Sequence, residues 1–145
     1  MTVTVRRATP ADIDPLWGLG TAEPAFGVSP RIRFYERGEL TEWIAAPDTN
    51  LLLVLDDGGE IAGFCFCKIM SSHWAYLDNF YVSPVSRGSG YGRLLMQGLL
   101  ELLREKRIAY LSTLVAGSDG YLSGYFRQCG LVGDKPYIWL ERFVE

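Results

Sequence analysis

The stretch from Trp74 to Arg107 places a strand pattern, a glycine-rich loop and a helix pattern in direct succession. WAYLDNFYV is rich in aromatic residues, and after the glycines the pattern changes to leucines at helical spacing. RIAYLSTLV follows over 107–115 and predicts a buried second strand. A strand, a helix and a strand in this order predict a β-α-β unit. The helical leucines are Leu95, Leu99 and Leu102.

Two further strand patterns precede this unit and are joined by short turns. NLLLVL and IAGFCFCKIM flank DDGGE, a hairpin signal in which glycine supplies positive φ angles. A second turn near SSH leads into the next strand, so the three strands form an antiparallel meander. The predicted fold class is therefore α/β (α+β): a mixed central sheet in which an antiparallel meander is followed by the β-α-β unit.

The two ends of the chain add further elements. TVTVRRA predicts a first strand, and TPAD caps a helix over DIDPLWGL. RIRFYERGELTEWIAA predicts a second helix over 31–46, which Gly38 weakens and could split. SDGYLSGYFRQCG predicts a helix ended by Gly130, and DKPYIWLERFV over 134–144 predicts closing strand material. The apolar face of the second helix consists of Ile32, Tyr35, Leu40, Trp43 and Ile44.

Length and composition predict one globular domain over residues 1–145, since 48% of the residues are hydrophobic and 21% are charged. A net charge of -3 argues against a nucleic-acid partner. The sequence contains no run of about 18 apolar residues that would predict a membrane span, and its amino-terminal residues have no signal pattern. We therefore expect a cytoplasmic protein that binds no membrane.

The three cysteines are predicted to be free thiols. Cys65 and Cys67 are spaced like a metal-ligand pair, but they alternate along a strand pattern and His73 is the only histidine. Buried strand thiols are therefore the favoured interpretation, and no metal site is expected.

The glycine-rich loop RGSGYG has the features of an anion-binding loop. Glycines allow a tight turn and let several backbone N–H groups approach one anion, and the amino end of the following helix carries partial positive charge. Arg87 and Arg93 flank the glycines, and no Asp or Glu occurs from Ser83 to Leu100. The spacing matches neither the nucleoside-triphosphate loop nor the dinucleotide loop. The alternative is a glycine turn that only caps the helix.

The segment YLDNFYVSPVSRGSGYGRLLM resembles the coenzyme-A-binding core of the GCN5-related N-acetyltransferase (GNAT) superfamily. That family carries Arg/Gln-x-x-Gly-x-Gly/Ala after a strand, and Arg87, Gly90 and Gly92 fill those places. The local sequence is most similar to the diamine acetyltransferases. The resemblance implies acetyl-CoA as cosubstrate, with pantetheine paired to the strand backbone and the pyrophosphate held by loop amides. The implied cofactor-binding residues are Phe80, Tyr81, Val82, Arg87, Gly88, Ser89, Gly90, Tyr91, Gly92 and Arg93.

Asp78 is the candidate general base. With a reference pKa near 10.4, only about one alkylamine molecule in a few thousand is neutral near pH 7, so an enzyme that acylates an amine must remove a proton. Asp78 stands where the diamine acetyltransferases have a glutamate, and its shorter side chain favours action through a water molecule. The alternative is a solvated acid or one that pairs across the hairpin.

The leaving thiolate benefits from a proton donor, which the family supplies from a tyrosine in its second motif. The corresponding place is Phe126 in YFRQCGL, so this chain departs from the family pattern. Tyr125 lies one residue earlier and Tyr121 about one turn before it. Either could donate the proton, both could be ordinary aromatics, or the thiolate could leave unassisted.

The first third of the chain, where the family builds its acceptor wall, combines acids and aromatics that suit a cationic amine. An amphipathic helix pair with a solvated face explains the same pattern equally well. The residues concerned are Trp17, Glu23, Phe26, Tyr35, Glu36, Glu39 and Trp43.

The resemblance therefore implies an N-acetyltransferase that transfers an acetyl group from acetyl-CoA to a primary amine of a small molecule, such as a polyamine or an amino acid, by direct attack. The alternatives are a catalytically silent acyl-CoA-binding module and an enzyme that acts on a protein amine. A homodimer through carboxy-terminal strands is one fate of the apolar residues near the end of the chain, and completion of the core is the other. These residues are Tyr137, Ile138, Trp139 and Phe143.

Overall fold

The computed structural model describes residues 3–27, 34–116, 119–133 and 135–144. The strands are β1 (Val3–Arg7), β2 (Asn50–Asp57), β3 (Glu60–Ile69), β4 (Trp74–Val82) and β5 (Tyr110–Thr113). The helices are α1 (Ile13–Ala22), α2 (Arg37–Ile44), α3 (Tyr91–Glu105) and α4 (Gly120–Gln128).

The five strands form one sheet in the order β1-β2-β3-β4-β5. Neighbours from β1 to β4 run antiparallel, whereas β4 and β5 run parallel and are connected through α3. The β2–β3 turn uses Gly58 at φ 64° and Gly59 at φ 98°, the left-handed region that glycine tolerates best. The predicted hairpin, meander and β-α-β unit are thereby confirmed.

One face of the sheet packs against α1 and α2. Its core is a cluster of aromatic rings centred on Phe64 and Phe66 of β3, which stack with centroids 5.2 Å apart. Tyr81 of β4 stacks on Phe64 at 5.1 Å, and Leu16 and Leu40 reach the cluster from the two helices. Burial of each such side chain contributes about 1.5–3 kcal/mol to stability.

The opposite face packs against α3, which contacts β1 to β4. Alternate residues of β2 and β3 point to this side because side chains alternate along a strand, and both predicted thiols, Cys65 and Cys67, are buried here. Burial raises the pKa of Cys67 to about 12 and that of Cys65 well above its usual value. The buried residues of α3 are Tyr91, Leu95, Met96, Leu99 and Leu103.

The second helix is shorter than predicted. It begins at Arg37, because Glu36 is extended at φ −79° and ψ 152° and Phe34 and Tyr35 before it are not helical. Phe34 is buried in the aromatic cluster, a tertiary contact that overrides the helical spacing of this segment. Gly38 lies in the first turn and does not split the helix, whereas Ile32 lies outside the described residues.

The strand after α3 is shorter and more exposed than predicted. β5 comprises four residues, and its first residue, Tyr110, is 57% exposed. Because β5 is the last strand in the order, it is an edge strand with β4 as its neighbour. The apolar residues of RIAYLSTLV therefore did not predict a buried strand correctly.

The predicted closing strand over 134–144 is wrong for the residues that the structure describes, since 135–144 contain no strand. Side-chain pattern suggested a strand, but a strand requires partners for its backbone hydrogen bonds, and Pro136 has no N–H to donate. The large apolar residues Tyr137, Ile138, Trp139 and Leu140 are exposed.

Two compact units divide the chain, Met1–Thr113 and Leu114–Glu145. The first contains the sheet with α1 to α3, and the second contains α4. That residues 1–145 form one domain stays a prediction. In the part of the chain that the structure describes, no helix is long and apolar enough to cross a membrane.

Candidate active site

The sheet opens where β5 ends. β4 pairs with β5 from Trp74, opposite Tyr110, to Leu77, opposite Thr113, and the Thr113 hydroxyl donates to the Leu77 carbonyl at 2.7 Å. β4 then continues to Val82, beyond the last β5 partner. The backbone of a strand edge offers N–H and C=O groups to an extended ligand. Three of the predicted cofactor residues lie on this extension: Phe80, Tyr81 and Val82.

The glycine-rich loop follows directly. A short turn over Pro84–Ser86 leads to Gly88 and Gly90, both at φ 83°, and α3 begins at Tyr91. A Cβ atom at either glycine would meet nothing within 4 Å, so the positive φ, rather than crowding, favours glycine at these positions. The loop therefore turns sharply and leaves open space above its backbone.

The charge around the loop suits an anion. The first turn of α3 contains no acidic residue, Gly90 caps it without a side chain, and its first amides have no partners inside the helix. Arg93 and Ser89 are exposed, and Gly92 is half-buried. The exposed Arg87 donates from Nε to the Val82 carbonyl at 2.9 Å, which ties the loop to the end of β4. These residues fit the pyrophosphate of coenzyme A.

Tyr91 points away from the loop. Its side chain is buried, and its hydroxyl donates to Oδ2 of Asp57 at 3.1 Å, at the end of the β2–β3 hairpin. Burial, and secondarily the bond with Asp57, raises the pKa of Tyr91. Its side chain therefore anchors the start of α3, and only its backbone amide is left for the anion binding that is predicted for the loop.

A β-bulge in β4 places Asp78. Phe66 of β3 lies opposite Asn79, whereas the next residue of β3, Cys67, lies opposite Leu77. Asp78 is therefore an extra residue of β4 that has no cross-strand position of its own. Such a bulge turns two consecutive side chains toward the same face, here the face covered by α1 and α2.

Tyr35, from the segment before α2, meets both of these side chains. Its hydroxyl donates to Oδ2 of Asp78 and accepts a hydrogen bond from Nδ2 of Asn79 at 2.8 Å. Burial raises the pKa of Asp78, whereas a hydrogen bond donated to a carboxylate favours its charged form. Asp78 is thus neither a freely solvated acid nor one paired across the hairpin with a basic residue of β3.

The predicted acceptor wall is brought together only in part. Its aromatic residues pack against the cluster on this face: Trp17, Phe26, Tyr35 and Trp43. Its acids do not converge on Asp78, because Glu36 and Glu39 are exposed and Glu23 accepts from the Ala25 amide at 3.2 Å.

Lys68 and Asn79 were not identified from the sequence as site residues. Lys68 extends from β3 over the ring of Trp43, with its Nζ 4.0 Å from the ring centroid. Strand alternation places Lys68 on the face of Phe64 and Phe66, so the sequence carried this signal. Asn79 lies opposite Phe66 and on the same face, but the extra residue Asp78 interrupts the alternation of β4 that would have indicated this from the sequence.

The proposed proton donors lie in the second unit, on α4. Tyr121 is 71% exposed, and Tyr125 is half-buried with its ring 5.9 Å from that of Phe126. Phe126, at the family's tyrosine position, is buried. Asp119 caps α4 by accepting from the Leu122 amide at 2.9 Å. Among the described residues, no group of three or more His, Cys, Asp or Glu side chains could hold a metal ion.

Comparison with known proteins agrees with this architecture. Residues 21–131 match the sequence model of the Acetyltransferase (GNAT) family. The chain is 26% identical over 150 aligned positions to aminoglycoside N(6')-acetyltransferase type 1 of Stenotrophomonas maltophilia, covering 98% of this chain and 94% of that protein.

Solved structures share the fold. The PaiA N-acetyltransferase of Thermoplasma acidophilum, in complex with coenzyme A, superposes with a TM-score of 0.78 at 18% identity and covers 89% of each chain. AAC(6')-Iy, in complex with the bisubstrate analogue CoA-S-monomethyl-acetylneamine, gives a TM-score of 0.79 at 13% identity, with 99% of this chain and 100% of that one covered.

The fold and the family match define the class: the chain belongs to the GNAT acetyltransferase family. It is an acetyl-CoA-dependent N-acetyltransferase. The predicted similarity to diamine acetyltransferases in particular stays a prediction, as do the acceptor amine and the roles of the individual site residues.

Proposed function

We propose that the protein acetylates a primary amine of a small molecule by direct attack of the amine on the thioester of acetyl-CoA. The observation that carries this proposal is the position of Asp78. It stands on the same strand as the edge that β5 leaves, a strand that a short turn joins to the glycine-rich loop, and its carboxylate faces α1 and α2. The proposed base, the strand edge proposed to bind pantetheine and the loop proposed to bind the pyrophosphate thus follow one another along the chain.

In this proposal the loop amides from Gly88 to Arg93 hold the pyrophosphate, and Arg87 and Arg93 add positive charge beside it. The backbone from Phe80 to Val82 hydrogen-bonds pantetheine as an added strand does. Acetyl-CoA supplies an activated acyl group, so the protein has to position the amine, remove its proton and accommodate the developing oxyanion with backbone amides.

Asp78 accepts one proton of the ammonium group, directly or through water. The neutral amine nitrogen then forms the C–N bond, the C–S bond breaks, and the nitrogen releases its second proton to solvent to give the amide. The raised pKa of a half-buried carboxylate supports this role, since burial makes it a stronger base than a solvated aspartate. Tyr35 holds the carboxylate in place, and Asn79 in turn donates a hydrogen bond to the Tyr35 hydroxyl. The departing thiolate takes a proton from Tyr125, from Tyr121 or from solvent.

A small acceptor is favoured because the relatives named above include an aminoglycoside acetyltransferase and a structure with an acetylneamine bisubstrate analogue. The wall of aromatic rings around Tyr35 and Trp43 also suits a small amine that carries an apolar part. A polyamine, an aminoglycoside and an amino acid all satisfy this description, and a protein amine remains the alternative acceptor.

The test is release of free coenzyme A from acetyl-CoA in the presence of single amines, namely spermidine, putrescine, kanamycin, γ-aminobutyrate and lysine, with an unstructured lysine-containing peptide as the protein-amine arm. We expect turnover of at least one small amine above the rate without amine. Calorimetric titration with coenzyme A runs in parallel. Tight binding without turnover of any amine would support a silent binding module, and turnover of the peptide alone would support a protein substrate.

A further inference from the structure

Lys68 places a positive charge in the acceptor wall. It lies opposite Tyr76 of β4, and strand alternation puts it on the face that also holds Phe66 and Asn79. Its Nζ stands 4.0 Å from the centroid of the Trp43 ring and 6.0 Å from that of Tyr35. The two rings meet edge to face at 4.7 Å, so they form two sides of a box around the ammonium.

This ammonium has rings around it but no carboxylate partner among the residues that the structure describes. Lys68 is half-buried, and burial lowers its pKa while the exposed Glu39 of α2 opposes that effect from a distance. Among the described residues, the structure records neither an ion pair within 4.0 Å nor a hydrogen bond for Lys68 Nζ. The carboxylate of Asp78 accepts a hydrogen bond from the Tyr35 hydroxyl.

A half-buried ammonium that stacks on aromatic rings still has N–H donors to offer, because cation–π contacts satisfy charge without consuming them. A bound anion would both neutralise the charge and accept these hydrogen bonds, which are strong when both partners are charged. A second ammonium at the same place would be repelled. Lys68 therefore favours a ligand that places a negatively charged group beside its ammonium.

Tyr35 sets the spacing of the two charges. Its hydroxyl touches Asp78 while its ring lies under Lys68, so one tyrosine side chain separates the carboxylate that attracts an amine from the ammonium that attracts an anion. A small molecule with an amine at one end and a carboxylate at the other matches both charges. A diamine matches only the first.

We infer that Lys68, with Trp43 and Tyr35, forms a subsite for the carboxylate of the acceptor, so that the acceptor is an amino-acid-type molecule rather than a polycation. This inference rests on the proposed function, because it assumes that the acceptor amine binds at Asp78. It names a specificity-determining residue that lies on β3, outside the cofactor edge and loop of the family's motif.

The experiment compares γ-aminobutyrate, butylamine and putrescine, which share a carbon chain and differ in the group at one end. Parent, Lys68→Met and Lys68→Arg are measured for kcat/KM and, with coenzyme A bound, for amine affinity by calorimetry. We expect the parent to prefer γ-aminobutyrate over butylamine by about tenfold. Lys68→Met should abolish that preference and improve putrescine, whereas Lys68→Arg should retain it. The β-alanine, propylamine and diaminopropane series checks the spacing.

Equal preference in the parent and in Lys68→Met, or a parent that favours putrescine, would overturn the inference. Lys68→Gln replaces Lys68→Met if thermal unfolding shows that the latter does not fold. The calorimetric measurement distinguishes failure of the proposed function from failure of the proposed subsite. If no amine is turned over but the affinity for γ-aminobutyrate depends on Lys68, then the proposed function fails and the subsite stands. If amines are turned over with no preference for a carboxylate, the proposed function stands and the subsite fails.

Discussion

The hydroxyl of Tyr35 donates a hydrogen bond to the carboxylate of Asp78, across the gap between the segment before α2 and the bulge of β4. Two opposing effects meet at this carboxylate. Burial raises its pKa, and the donated hydrogen bond stabilises its charged form. The basicity of Asp78 therefore depends on a residue from the acceptor wall, which couples the two halves of the site.

Replacement of Tyr35 by Phe tests this coupling. Loss of the donor removes stabilisation of the carboxylate, so the pKa of Asp78 should rise further and the acidic limb of the kcat/KM profile should move to higher pH, by about one unit. Tyr76→Phe, on the strand that carries Asp78, removes a hydroxyl of the same kind and should leave the acidic limb where it is. A Tyr35→Phe profile that keeps its shape but falls uniformly would mean that Tyr35 only packs against the wall.

The base role of Asp78 predicts a specific defect in Asp78→Asn, a variant of equal size that accepts no proton. Turnover should fall roughly a hundredfold or more while coenzyme A binds as before. Raising the pH should partly rescue the variant, because solvent then supplies the neutral amine. A variant that keeps kcat at neutral pH and shows only a raised KM would make Asp78 a substrate-binding residue, and the proton would leave by another route.

The anion loop is tested by Gly90→Glu. The backbone of Gly90 has room for a side chain, but a carboxylate there would stand where the amides are proposed to meet the pyrophosphate. Affinity for acetyl-CoA should fall about a hundredfold or more in calorimetry. Gly59→Glu, at φ 98° in the β2–β3 turn, introduces the same charge and similar backbone strain and serves as the control. Equal affinity in both variants would remove the loop from the cofactor site.

A stability prediction concerns the ion-pair cluster at the start of the chain. Asp12 is buried and accepts from Arg6 at 2.7 and 3.0 Å and from the Thr9 amide at 2.7 Å. Chiefly through Arg6, these bonds hold the pKa of Asp12 below its usual 3.8, so the carboxylate stabilises the fold above that pH and loses its contribution as the pH falls through the lowered value.

In urea titrations near pH 7, Asp12→Asn should therefore lower the free energy of unfolding by about 1–3 kcal/mol. The difference from the parent should narrow as the pH falls below 3.8 and through the lowered pKa of Asp12. Asp14→Asn is the matched control, since the Asp14 side chain is 81% exposed in its pair with Arg37, and it should change stability by less than about 0.5 kcal/mol. A penalty for Asp12→Asn that is independent of pH would assign the effect to packing.

How far the sequence predicts this molecule depends on whether a feature is local. The hairpin at Gly58 and Gly59, the α3 leucines and the alternation that buries Cys65 and Cys67 follow from neighbours in the chain, and they are confirmed. The start of α2 was wrong because the buried ring of Phe34 responds to a distant part of the chain. Residues 135–144 were assigned to a strand on pattern alone, although a strand also requires a partner.

Within the site, the glycine loop and Asp78 were visible as motifs, but their surroundings were not. Tyr35 was assigned to the acceptor wall, and nothing in the sequence indicated that its hydroxyl would reach Asp78, because the two residues are 43 positions apart. Asn79 was missed because Asp78 interrupts the alternation of β4, and which residue is the extra one follows only from the pairing of β4 with β3.

The bulge at Asp78 serves the candidate active site and is not required for the pairing of β3 with β4. If Asp78 were deleted rather than substituted, Leu77 would be followed by Asn79, and the alternation of β4 would run without interruption while its other residues kept their faces. The ladder between β3 and β4 thus has no structural need for a residue at this point. The strand is one residue longer than its own pairing requires, and that surplus residue is the one whose carboxylate faces the acceptor wall.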